Sequence, residues 1–155
     1  MKEETLTFQE KVIAIQSELK APKSQFNSFG KYKYRNQEDI LEALKPLLLK
    51  HQIGLTITDE IKEVGGLVFV EARAILHSEG NSVEAKAQAG IDPNRKGMDI
   101  AQSFGSSSSY ARKYSLHGLL LIDDGSTDPD GTNTHGKEVA ARPAAATQGN
   151  PAPRW

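Results

Sequence analysis

The chain has 155 residues, no cysteine and a formal net charge of −1. This length fits one compact domain with a tail. The lack of cysteine excludes disulfides, thiolate zinc sites and a cysteine nucleophile. The near-neutral net charge argues against non-specific binding to nucleic acid or anionic membranes. The N-terminal sequence lacks the apolar core of a signal peptide, and no apolar run approaches the roughly 20 residues of a membrane span. We therefore expect a soluble cytoplasmic protein.

Charge is unevenly distributed along the sequence. Residues 20–35 contain five cations and no acid: Lys20, Lys23, Lys31, Lys33 and Arg35. Residues 123–130 contain four aspartates and no base: Asp123, Asp124, Asp128 and Asp130. Such segregation predicts a local basic patch despite the acidic isoelectric point.

Residues 7–19 predict a first helix. Its apolar residues recur at spacings of three and four, which is typical of a helix with one face on a core: Phe8, Val12, Ile15 and Leu19. Thr7 is expected to cap this helix, and Glu10 completes a capping box. Pro22 helps to end it, because the residue before a proline is disfavoured in helical geometry.

Asn36 predicts the start of a second helix, with Glu38 and Asp39 at the positive end of the helix dipole. Its buried face is supplied by Ile40, Leu41, Leu44, Leu47 and Leu48. Pro46 lies inside this pattern and removes an amide donor, so we expect the helix to kink or divide there. Gly54 is expected to close the segment.

Three strand-like runs follow, joined by turns at residues 64–66 and 78–81. Their alternating pattern predicts a three-stranded antiparallel meander that turns one face to the helices and the other largely to water. The apolar face is expected to contain Leu55, Ile57, Ile61, Val68, Val70, Ala72, Ala74, Leu76, Val83, Ala85, Ala87 and Ala89. The solvated face is expected to carry Glu60, Glu71, Arg73, Glu84 and Lys86.

The residues from Met98 to Leu116 leave two readings open. Residues 98–104 and 110–116 have helical character, but the GSSSS run at residues 105–109 has poor helix propensity and is typical of a loop. Small residues also let a helix approach another backbone closely, so one continuous helix is the alternative. From Asp123 onward the sequence is rich in Gly, Pro, Ala, Thr and Asp, and we expect disorder. The predicted class is α+β.

The KYKYR run at residues 31–35 is the most distinctive basic segment. An extended chain would place Lys31, Lys33 and Arg35 on one face and the two tyrosines on the other. The cations then suit phosphates, and Tyr32 and Tyr34 suit the core or an adjacent protomer. Phe26 or Phe29 could stack on bases. An ordinary edge strand with a lysine-rich face is the alternative.

A second basic group consists of Arg95, Lys96, Arg112 and Lys113. Tyr110 and Tyr114 are four residues apart and would stack along one helix face, an arrangement more typical of a core than of a ligand site. The cations at residues 112 and 113 would also complement a helix dipole.

Sequence motifs favour binding over catalysis. The aspartates of residues 123–130 invite a metal-dependent nuclease, but a calcium-loop alignment places Lys137 where a bidentate Glu is required. None of the four histidines stands in a nucleophile motif, and the sequence contains neither a P-loop nor GxGxxG. We therefore expect no catalytic residue, metal or other cofactor. A nuclease using Asp123–Asp130 and a protein-interaction module remain the alternatives.

Two sequence blocks carry a family resemblance. The first is N-x-F-x-K-Y-x-Y-R-x-Q-E-D-I-L at residues 27–41, and the second is A-Q-x-x-G-x-x-x-S-Y-A-R-K-Y at residues 101–114. In this order, with strands between them, they resemble the phage Erf (essential recombination function) family of single-strand DNA annealing proteins. The similarity covers about residues 8–124.

The resemblance implies a β-β-β-α core, in which GSSSS lies within a continuous long helix and Gly105 and the serines allow close packing. Residues 1–124 would form the annealing domain, and residues 125–155 a disordered acidic, then Ala/Pro-rich tail. Erf-like proteins anneal complementary strands without ATP and assemble as rings or related multimers. The implied partners are single-stranded DNA, further copies of the chain and, as a candidate, a single-strand-binding protein of the bacterial host.

Annealing requires phosphates to be neutralised while base edges stay free. The first candidates for a DNA groove are Lys31, Lys33 and Arg35. The secondary candidates are Lys20, Lys23, Arg95, Lys96, Arg112 and Lys113, with Phe29 as a candidate for stacking. We assign packing or oligomer contacts to Tyr32, Tyr34, Tyr110 and Tyr114.

Overall fold

The computed structural model of the chain describes residues 5–122. Its helices are α1 (Phe8–Glu18), α2 (Gln37–His51) and α3 (Ile100–Leu120), and its strands are β1 (Gln25–Asn27), β2 (Tyr32–Tyr34), β3 (Gly54–Val64), β4 (Leu67–Ser78) and β5 (Asn81–Gly90). Strands β3, β4 and β5 form an antiparallel sheet followed by a long helix. The predicted α+β class is confirmed.

Both early helices begin at the predicted caps. The Thr7 hydroxyl accepts from the Glu10 N–H, and the Glu10 carboxylate accepts from the Thr7 N–H at 2.8 Å. Asn36 and Asp39 exchange the same two bonds at 2.9 and 3.0 Å. These reciprocal bonds satisfy amides that have no partner inside a helix.

Helix α2 is not divided at Pro46, and its end differs from the prediction. It runs without division from Gln37 to His51 with Pro46 inside it. Burial of Ile40 and Leu44 stabilises the helix through tertiary packing, which outweighs the local cost of a proline. The helix ends at Gln52 in the left-handed region, and Gly54 begins β3 rather than closing the helix.

Both predicted hairpin turns are confirmed, and each has two residues between the last paired residues of its strands. Val64 pairs with Leu67, and Ser78 pairs with Asn81. The four turn residues between these pairs all have positive φ, at 58°, 82°, 50° and 80°. This geometry matches the right-handed twist of the flanking strands, and it explains the glycines at three of the four positions.

All three helices pack on one face of the sheet. The register aligns Ile57 with Ala74 and Ala85, as the alternation predicts. The buried cluster on this face joins α1, α2, α3 and β4 through Val12, Ile15, Ile40, Leu44, Ala74, Leu76, Leu116, Leu119 and Leu120. Helix α3 packs mainly over β5 and β4 and touches β3 at few points.

Glu71 lies on the helix-free face of the sheet but is not solvated, contrary to the prediction. It is buried on the central strand, where it accepts hydrogen bonds from Lys62 Nζ at 2.7 Å and from Gln88 Nε2 at 2.8 Å. The bonds from Lys62 and Gln88 hold the pKa of Glu71 below its ordinary value. Glu60, Glu84 and Lys86 are exposed, as predicted.

The GSSSS run lies inside α3, so the continuous helix is confirmed and the loop reading is wrong. Ser103 and Ser107 are buried, and their hydroxyls donate to the backbone carbonyls of Asp92 at 2.9 Å and Gly90 at 2.7 Å. The serines therefore give this helix a face of small side chains, and their hydroxyls satisfy carbonyls at and just after the end of β5. These two effects outweigh the modest helix propensity of serine.

Gly105 does not serve close packing within the protomer, contrary to expectation. It is exposed, and a Cβ added there would meet no atom within 4 Å. Gly118 is the glycine of α3 that faces the sheet, because its added Cβ would lie 3.6 Å from the Cβ of Ala85.

Ser107→Val is expected to destabilise the fold by about 1–3 kcal/mol, since it overpacks the contact with β5 and removes the bond to Gly90. Ser109→Val makes the same chemical change at an exposed position of the same helix and should stay within about 0.5 kcal/mol of the parent. Urea denaturation measures both. Equal losses would show that the contact with β5 does not select serine at residue 107.

Several sequence predictions fall outside the described residues. These are the domain boundary at residue 124, the tail of residues 125–155 and the aspartates of residues 123–130. Within residues 5–122, no helix is long and apolar enough to cross a membrane. In the same range, no three His, Asp or Glu side chains lie close enough to hold a metal ion.

Candidate nucleic-acid interface

A small hairpin carries the first sequence block. Strands β1 and β2 pair antiparallel, with Gln25 opposite Tyr34 and Asn27 opposite Tyr32, and form a sheet separate from the three-stranded one. Within residues 5–122, these strands contact each other more than they contact any other helix or strand. The hairpin therefore presents most of its side chains to the surroundings.

The tip of the hairpin is held by local bonds. The side-chain Oδ1 of Asn27 accepts from the backbone N–H of Phe29 at 3.0 Å and of Gly30 at 2.9 Å, and its side-chain Nδ2 donates to the Tyr32 hydroxyl at 3.1 Å. A Cβ on Gly30 would lie 2.3 Å from a ring carbon of Tyr32, so only glycine fits beneath that ring. This geometry explains Asn27, Gly30 and Tyr32 in the N-S-F-G-K-Y run.

The held tip exposes an aromatic ring beside two cations. Phe29 is 99% exposed, and Phe26, Lys31 and Lys33 are also exposed. Lys31 occupies the turn with a φ of 52°, and Lys33 lies on β2. Burying apolar surface is favourable, so Phe26 and Phe29, exposed together on one short hairpin, suit a contact surface.

Arg35 does not share the exposed face of Lys31 and Lys33, so that prediction is wrong. Strand β2 ends at Tyr34, and Arg35 is only 8% exposed where the chain turns into α2. It lines a cavity of about 420 Å³ together with Leu19, Lys20, Pro22, Leu120 and Ile122. The predicted alternation fails because the extended run is shorter than the sequence pattern.

Three of the secondary cations are exposed and distributed over two segments. Lys20 lies in the connection between α1 and β1, whereas Arg95 and Lys96 lie between β5 and α3. Lys23, which follows Lys20 in the first connection, is partly buried. In the second connection, the Asp92 carboxylate shapes the turn by accepting from the Asn94 N–H at 2.9 Å.

Arg112 is engaged within the protomer. Its Nε donates to the Asp59 carboxylate oxygens at 3.0 and 3.1 Å, and its Nη2 donates at 2.9 Å. The Ser108 hydroxyl donates to the same carboxylate. This bidentate pair ties α3 to β3 and occupies the planar donor edge that a phosphate would use.

Asp59 is a site residue that the sequence reasoning missed. It lies on the helix-facing side of the sheet between Ile57 and Ile61, opposite Ala72. Burial raises the pKa of Asp59, but hydrogen bonds from Arg112 and Ser108 outweigh it, so the net pKa lies below the ordinary value. The available signal was a charged residue at an apolar position of the alternation.

The tyrosines of α3 lie at the surface rather than in the core. Tyr110 is 53% exposed and Tyr114 is 46% exposed, and their stacked rings have centroids 6.3 Å apart. Lys113 Nζ lies 5.9 Å from the first centroid and 5.4 Å from the second. Tyr32 and Tyr34 contact each other edge to face at 6.1 Å.

Comparison with known proteins matches residues 8–155 to the ERF superfamily. The chain belongs to this family. A relative, the "Essential recombination function protein" of Salmonella phage P22, is 49% identical over 144 residues, which cover 93% of this chain and 68% of the relative. No solved structure matches the chain.

In this ERF superfamily member, the two sequence blocks occupy different exposed surfaces. The first block builds the hairpin tip and the capped start of α2. The second builds α3, including the surface stack of Tyr110, Lys113 and Tyr114. Phe29, Lys31 and Lys33 thus lie exposed on one hairpin, whereas Arg35 is buried and Arg112 is paired with Asp59.

Proposed function

We propose that the chain is a phage recombination protein that binds single-stranded DNA and anneals complementary strands without ATP in the cytoplasm of the bacterial host. Membership of the ERF superfamily and the similarity to the "Essential recombination function protein" of phage P22 support a recombination role. The observation that carries the DNA-binding proposal is the fixed hairpin, which exposes Phe29, Lys31 and Lys33 within five residues of the chain.

The hairpin suits an extended single strand. The ammonium groups of Lys31 and Lys33 would neutralise phosphates, and their salt-sensitive contacts read no sequence. Phe29 would stack on one base, an interaction open to every base because each has a π-face. Base edges then stay free for pairing with a second strand. The further candidates for phosphate contacts are the exposed Lys20, Arg95 and Lys96 and the half-buried Lys113.

Assembly of several copies would extend the DNA-binding surface. One hairpin offers two lysines, which hold only a few phosphates, so annealing requires the same contacts to be repeated by further copies of the chain. We therefore propose a ring or related multimer, with Tyr32 and Tyr34 stiffening each hairpin through their ring contact. No covalent step is needed, and we propose no catalytic residue.

A binding titration tests this function. Fluorescence anisotropy would follow labelled single-stranded and duplex oligonucleotides at several salt concentrations, with a chelator present and ATP omitted. We expect the single strand to bind more tightly, with a logarithmic affinity that falls by about 0.7 per phosphate contact for each tenfold rise in salt. A chain indifferent to single strands at low salt would refute the proposal.

A further inference from the structure

The outer flank of α3 is a second surface with the chemistry of a nucleic-acid contact. Tyr110 and Tyr114 are about half exposed and stacked, and Lys113 lies over both rings. Neighbouring side chains on α3 differ by about 100°, so residues two apart point about 160° from each other. Since Arg112 reaches Asp59 on β3, both tyrosines leave the helix on the flank away from β3.

The charge of α3 favours an anionic partner. The helix runs for 21 residues without a carboxylate and carries Arg112, Lys113 and His117. Arg112 is paired with Asp59, which leaves Lys113 as the cation directly among the exposed rings. Its flexible stem would allow the ammonium to move from the rings to a nearby phosphate.

The same arrangement is poorly suited to the centre of a protein contact. Lysine is depleted in the buried cores of protein interfaces, because its ammonium must lose water there. Here Lys113 lies within the aromatic patch, 5.4 Å from one ring centroid and 5.9 Å from the other. A nucleotide combines an aromatic base, which can stack on the tyrosine rings, with an anionic phosphate, which can bind the Lys113 ammonium.

We propose that Tyr110, Lys113 and Tyr114 form a stacking platform for unpaired bases of single-stranded DNA, separate from the hairpin tip. The proposal rests on the DNA-binding function above and replaces the expectation that these tyrosines make packing or oligomer contacts. Bases inside a duplex are already stacked on each other, so the platform would discriminate single strands from duplex DNA.

The test compares Tyr110→Ala, Tyr114→Ala with Tyr110→Phe, Tyr114→Phe. The alanine double variant should bind single-stranded oligonucleotides roughly 10- to 100-fold more weakly at fixed salt, with an unchanged salt slope, because stacking releases no counterions. Its duplex affinity and assembled mass should match the parent. The phenylalanine double variant keeps the rings and should bind as the parent does, which also controls for folding.

Three outcomes would overturn the platform. These are an unchanged single-strand affinity in the alanine variant, a salt slope reduced with the affinity, and a loss of assembled mass in sedimentation, which would identify the flank as a contact between copies. A parent protein that fails to bind single strands would instead refute the proposed function, so the two failures are distinguishable. As a second measurement, a 5-iodouracil oligonucleotide should crosslink to the peptide that contains Tyr110 and Tyr114.

Discussion

Replacing both Lys31 and Lys33 with glutamine is expected to weaken binding of single-stranded DNA roughly 25-fold at about 0.1 M salt. Each lysine contact with a single strand releases about 0.7 of a cation, which is worth roughly fivefold at that salt concentration. Glutamine keeps most of the side-chain length and removes only the charge. The salt slope should fall by about 1.4 per hairpin, and annealing should slow accordingly.

Lys45→Gln, Lys86→Gln is the matched control. It makes the same change in charge on α2 and on the helix-free face of the sheet, where both lysines are exposed. Its affinity should stay within about twofold of the parent, because only general attraction is lost. Equal weakening in both variants would show that total charge, rather than the hairpin, controls binding. Arg35 is left intact because it is buried and its removal would also disturb folding.

Asp59→Asn is expected to destabilise the fold by about 1–3 kcal/mol near neutral pH, as measured by urea denaturation. The Asp59 side chain is 13% exposed and its partner Arg112 is 35% exposed, so partial solvation limits the loss. Asparagine has nearly the same shape but lacks the charge that holds the bidentate pair. Glu60→Gln, on an exposed neighbour in the same strand, should cost less than about 0.5 kcal/mol.

The loss in Asp59→Asn should depend on pH with a definite sign. The folded-state pKa of Asp59 is lowered, so its carboxylate contributes stability that is complete above the unfolded pKa, about 3.9. That contribution disappears as the pH falls through the lower pKa of the folded state. The stability gap between parent and variant should therefore close in acid. A gap that does not narrow as the pH falls below the unfolded pKa would contradict the assigned pair.

Much of the fold could be predicted because it depends on local chemistry. Thr7 and Asn36 identify helix starts through bonds made within four residues. The turns at residues 64–67 and 78–81 follow from glycine at positive φ, and the alternation of β4 and β5 fixes the buried face once the register is set. Each of these features is determined by neighbours in the chain.

The departures come from contacts between distant segments. Ser107 is accommodated in a helix because its hydroxyl donates to the Gly90 carbonyl. The two residues are 17 apart in the chain, so helix propensity cannot anticipate this contact. Asp59 is retained on an apolar face because Arg112 and Ser108 arrive from a helix about 50 residues later. Arg35 is buried because α1 and the end of α3 enclose the base of the hairpin.

The candidate site was predictable in part for the same reason. The exposure of Phe29, Lys31 and Lys33 on one hairpin depends on one turn, which Asn27 and Gly30 determine locally. The surface position of Tyr110 and Tyr114 depends on how far α3 rotates against the sheet, and their spacing of four fits a core equally well. Only the packed structure separates these two readings.

Annealing of complementary oligonucleotides by the purified chain, with chelator present and ATP absent, is the most direct test of the proposed function. A quenched fluorophore pair would report duplex formation over time. We predict that the chain accelerates pairing well above the protein-free rate, that added salt abolishes the acceleration, and that Lys31→Gln, Lys33→Gln loses most of it. Pairing at the protein-free rate across all salt concentrations would contradict the account.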